Sequence, residues 1–152
     1  MSSVGAMTLA EFLLARIAED EADAKAAVDR HHHPQWVIDG MGICTVGGHD
    51  LDSVTEYVRH EEAAPHIARH DPARVLAECE AKRRIVEQYE HYRSTVMAYR
   101  SPRWHDAMND QDKQNWHQAE ARHAVAEDFV RLLALPYAEH PDMPKDPSQP
   151  EG

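Results

Sequence analysis

The 152-residue chain sets 16 Lys and Arg against 27 Asp and Glu, a formal charge of −11, so it lacks the cationic field that draws proteins to nucleic-acid phosphates or anionic membranes. Leu, Ile, Val and Phe together fill only 26 positions, 17% of the chain, under the roughly 20% at which a highly charged chain begins to tend to disorder. Alanine fills 22 positions, which favours helix but adds little buried area. The expected solution is one domain of helices packed closely through small side chains and completed by a second copy.

Cys44 and Cys79 stand far apart without CxxC spacing, which excludes a disulfide framework and suits a reducing cytoplasm. Neither a basic and apolar leader nor an apolar run of about 18 residues is present. The expectation is a cytoplasmic chain with no membrane span. Twelve histidines make its charge sensitive to mild acidification.

In chain order, residues 1–7 are expected to be a flexible N-terminus. Thr8-Leu9-Ala10-Glu11 has the form of a capping box. The helix that it opens carries Leu9, Phe12, Leu13, Ile17, Ala24 and Val28 on one face and ends near Arg30. His31-His32-His33 follows as a cap or linker. Trp36-Val37-Ile38 and Ile43-Cys44-Thr45-Val46, separated by Asp39-Gly40-Met41-Gly42, predict a small hairpin. Val54 to Val58 reads as a third strand, so the insert covers about residues 36–58. Glu61 to His70 reads as a short helix, and Asp71-Pro72 caps and opens the next. That helix runs to about Tyr99, burying Val75, Leu76, Cys79, Val86, Tyr89 and Val96. Trp104 and Met108 are assigned to a short helical turn. Trp116, Ala119, His123, Ala126, Val130 and Leu133 then mark a stripe that suits an antiparallel partner for the preceding helix. The domain closes near residue 140 with Leu135-Pro136-Tyr137 docked on it, and residues 141–152 read as a disordered, proline-rich acidic tail.

HIARHDPARVL (His66 to Leu76) with EAKRRI (Glu80 to Ile85), LLALPYAEHPDM (Leu132 to Met143) and the opening EFLLARIAEDEADA (Glu11 to Ala24) resemble an uncharacterised domain-of-unknown-function family of small proteins from actinobacteria and their phages. The resemblance spans nearly the whole chain and implies no activity. Many of the family's members place a CxxC pair and a later cysteine after the long helix, which implies zinc for them. Here residues 99–130 contain no cysteine and read as helix.

His66 and His70 are four apart on one helix face, with Glu62 a turn earlier and Asp71 adjacent, a pattern that can hold zinc through two imidazoles and a carboxylate. The bland alternative is one histidine bonded at the helix junction and the other solvated. Arg69 and Arg74 lie in the one basic concentration, interleaved with acids at salt-bridge spacing. They read as a solvated face or as contacts to an acidic partner. Tyr89, Tyr92, Trp104 and Trp116 read as core or as a dimer seam, with an aromatic ligand pocket as the alternative. No nucleophile elbow, phosphate loop, HExxH or CxxC occurs, which speaks against an enzyme.

The chain is thus expected to be a mainly α-helical domain with two long antiparallel helices, an N-terminal helix and a β-hairpin insert. Its expected role is non-enzymatic: a phage- or prophage-type accessory protein that binds another protein, in a sharper version at a basic site on a host factor. Self-association is expected through the long helices, with no direct contact to nucleic acid and no cofactor. A small zinc-binding protein using the His66 group is the second reading, and an unrecognised enzyme the third.

Overall fold

The computed structural model describes residues 7–31, 33–46, 52–101 and 107–144. It is mainly helical, with α1 (Leu9–His31), α2 (Ala64–Arg69), α3 (Pro72–Tyr99) and α4 (Asp110–Ala134), and three short strands between α1 and α2. The chain divides into two compact units: residues up to Arg16 with those from Lys82 onward, and residues 17–81. The expected flexible N-terminus and the tail beyond Pro144 lie almost wholly outside the described residues, as do Trp104 and His32.

In the unit formed by residues 17–81, β1 (Trp36–Asp39), β2 (Gly42–Thr45) and β3 (Ser53–Thr55) form an antiparallel sheet in chain order. Trp36 pairs with Thr45 and Asp39 with Gly42, so two residues make the first turn. Gly40 is the first of them, at φ 59°, a left-handed value that a hairpin turn needs and a Cβ resists. The β2–β3 ladder is irregular at Ile43 and Cys44. Ile43, Val58 and Ala64 form a small buried core, with Trp36, Val54, Ala63 and Ile67 packed on it.

A 3₁₀ turn at Glu61–Ala63 leads into α2. Asp71 then ends one element and starts another. Its Oδ1 accepts from the Arg74 amide at 2.8 Å, which caps α3, and its Oδ2 accepts from the Trp36 amide at 3.3 Å, which ties the cap to β1. Pro72 takes the first helical position, where its missing N–H costs nothing.

In the other unit, the amide of Glu11 donates to Thr8 Oγ1 at 3.2 Å and that of Thr8 to Glu11 Oε2 at 2.8 Å. The box predicted at α1 is therefore formed, and the Thr8 amide holds the Glu11 carboxyl below its ordinary range. Phe12 and Leu13 are buried. Tyr137, in the 3₁₀ turn Leu135–Tyr137, meets Phe12 edge-on with ring centroids 6.1 Å apart, and the His140 ring meets it at 5.4 Å. Arg16 bonds His140 Nε2 beside them.

The start of α4 precedes its buried stripe by six residues. Asn109 accepts from the Asp112 amide at 2.9 Å while Asp112 accepts from the Asn109 amide at 3.2 Å, a reciprocal cap that Asn-x-x-Asp makes in place of the usual Thr-x-x-Glu. Met108, expected to lie in a helical turn, precedes that cap outside any helix.

Two stability outcomes follow from these geometries. Asn109→Ala removes the α4 cap and is expected to cost about 1 kcal/mol in urea unfolding. Gly42→Ala places a Cβ 2.6 Å from the Thr55 carbonyl oxygen and 3.0 Å from that of Glu56. Because both neighbours are backbone, β3 must move, and a loss of about 1–3 kcal/mol is expected by the same measurement.

Candidate interaction surface

The histidine pair predicted near the α2–α3 junction is present as a local contact. The His66 and His70 rings lie 4.3 Å apart by centroid, tilted at 40°. His70 Nδ1 sits 2.8 Å from the His66 carbonyl oxygen, so Nδ1 carries the proton and donates. Asp71 is committed to the Arg74 and Trp36 amides, and Glu62 is exposed in the 3₁₀ turn. Among the described residues, no group of three or more His, Cys, Asp or Glu stands together as metal ligands. Arg74 pairs with Glu78 one turn on at 2.7 Å, and Arg69 is exposed in the last turn of α2.

The aromatic candidates lie in the other unit, where the second half of α3 and α4 run antiparallel. Tyr89 stacks on His123 with centroids 5.3 Å apart and planes 27° apart. The Arg122 guanidinium stands 5.9 Å over the Tyr92 ring. Trp116 stacks on His117 at 5.2 Å. Arg100 reaches Glu120 at 3.5 Å across the same pair of helices. Burial raises the Tyr89 phenol above its ordinary range, and the nearby Glu127 charge adds to the rise.

Of the expected stripe on α4, Ala119, Ala126 and Val130 are buried and Trp116, His123 and Leu133 half-buried, and Ala134 is buried as well. The exposed face of α4 is the one that this stripe hides from view. Val125, Phe129 and Leu132 repeat at four- and three-residue steps on the flank beside it, and they are 54%, 52% and 59% exposed. Leu135, one step further, is 65% exposed. The fully buried positions of α4 are thus mostly alanines, while several large apolar side chains stand exposed. Between this ridge and α3 runs a groove of about 580 Å³, floored by Ile85, Tyr92, Ala121, Val125, Ala126 and Phe129. Arg84, Gln88 and Arg122 edge it.

The signal for this surface was in the sequence as a second apolar stripe on one helix. An amphipathic helix at the edge of a domain has one such stripe, and a helix with two is covered on both sides. Among the described residues, no helix is long and apolar enough to cross a membrane.

Residues 6–145 match the model of a family of unknown function, DUF6221, and the chain belongs to that family. No curated protein and no solved structure matches it.

The Tyr89 environment has a consequence at alkaline pH. A phenol whose folded pKa is raised contributes stability that is complete below the unfolded value, near pH 10, and lost as pH rises through the folded value. Thermal melts from about pH 9 to 11 are expected to fall more steeply for the native chain than for Tyr89→Phe, which has no proton to lose.

Proposed function

We propose that this member of the DUF6221 family is a small non-enzymatic accessory protein, of the type carried by phages and prophages, that acts by binding another protein. The observation that supports this is the exposed face of α4, where Val125, Phe129 and Leu132, with Leu135 in the turn just beyond, are more than half exposed beside an apolar groove. Bulky apolar side chains scattered singly over a surface need no explanation, but a contiguous row flanking a groove marks a contact surface. Apolar floor with a few polar groups at the edge is the usual anatomy of such a contact.

The charge of −11 has a separate effect. Away from the groove the acidic surface suits a basic site on a host factor, because long-range attraction speeds encounter with positive partners and slows it with negative ones. The apolar face supplies the close contact, and the charge selects who approaches.

The test is retention by the covalently immobilised full-length chain from a native lysate at moderate salt, with the retained proteins identified by mass spectrometry. One protein, the chain itself or another, is expected to be held near stoichiometrically and to be lost when Phe129→Glu and Leu132→Glu are combined. An identical set on the native and doubly substituted chains would overturn the proposal.

A further inference from the structure

We infer that the groove and ridge of α4 are a self-association seam, occupied by the same face of a second copy in an antiparallel, two-fold arrangement. This rests on the protein-binding reading and names its partner. The first argument is self-complementarity. A two-fold contact places one patch on itself, so the patch must carry both a projection and a space to receive it. On α4 these lie along one row. Gln118 and Ala121 occupy its N-terminal part, Val125 its middle, and Phe129 and Leu132 its C-terminal part. With the axis beside Val125, Phe129 of each copy meets Ala121 of the other, so a large side chain lies over a small one at both ends.

The second argument is area. Four apolar residues at half exposure or more offer on the order of 400 Å², about half of the roughly 800 Å² that each partner buries in a standard interface. The groove beside them supplies more apolar surface on Ile85, Tyr92 and Ala121. Over both copies that is about 1,000 Å², above most incidental contacts and near the lower bound of a specific interface.

The third argument is charge. Two chains of −11 repel, so a seam between them has to exclude acidic side chains. The row from Gln114 through Gln118, Ala121, Val125, Phe129 and Leu132 carries no charge, and the charged groups that edge the groove are Arg84 and Arg122. Along that row neither copy brings an acidic side chain against the other. Because the remaining repulsion is screened by salt, association is expected to tighten as ionic strength rises.

Light scattering after size exclusion tests this on the full-length chain. The expected mass is twice 17.3 kDa, falling to one chain for Phe129→Glu and for Leu132→Glu, with helical circular dichroism retained because both positions are exposed. Tyr57→Glu, at an exposed apolar position in the other unit, is expected to stay dimeric. Val125→Cys on a Cys44→Ser background is expected to form a disulfide-linked dimer on oxidation, whereas Cys44→Ser alone does not. A native chain of single mass at about 100 µM would overturn the inference. So would a dimer that neither glutamate substitution weakens and that Val125→Cys does not cross-link. A monomer that still retains a different protein through Phe129 and Leu132 would overturn the second copy alone and leave the protein-binding proposal standing.

Discussion

The small size of the side chains that α4 turns inward constrains everything built on that helix. Ala119, Ala126 and Ala134 let its backbone come close to what it packs on, and the bulk of the contact falls to Val130 and to the Tyr89–His123 stack. A helix seated through alanines gains less from burial than one seated through leucines, at about 25 cal/mol per Å² of apolar area. The chain has few large aliphatic residues, and it places several of them on the outside of α4. A sequence short of core-forming residues does not gain from exposing them in the free monomer, and this is the ground of the proposed contact.

Charge plays a different part. Many of the ion pairs are between residues three or four apart on one helix, such as Lys25–Glu21, Arg74–Glu78, Arg93–Glu90 and Arg131–Glu127. Exposed pairs of this kind contribute a few tenths of a kcal/mol each. They favour helix locally and keep the long acidic faces soluble. They do not decide which face meets which.

Most of the fold was legible in the residues because its elements are marked by local chemistry. Thr8 and Glu11 announce the start of α1, Asp71-Pro72 the start of α3, and the glycine-bearing turn the hairpin, each through a hydrogen bond or a backbone angle that neighbours settle among themselves. The inward stripe of α4 was legible from its period. Two things were less so. The start of α4 was obscured because Asn109 and Asp112 cap with a pair less familiar than Thr and Glu. The exposed apolar row at Val125, Phe129 and Leu132 is masked in the sequence by the buried stripe of the same period beside it. The His66 and His70 pair shows the opposite limit: spacing brings two imidazoles together, but Asp71 has its own work at the α3 cap and Glu62 faces outward.

That work at Asp71 reaches beyond one helix. A single carboxylate accepts from the amide of Trp36, at the head of β1, and from that of Arg74, in the first turn of α3. Trp36 and Arg74, 38 positions apart in the chain, are thereby joined without a side chain of either. When α3 frays at its N-terminus the strand loses its anchor in the same event, and when the strand lifts the helix loses its cap. The amide hydrogens of Trp36 and Arg74 therefore belong to one opening unit, exchanging with solvent together at a common free energy although one lies in a sheet and the other in a helix.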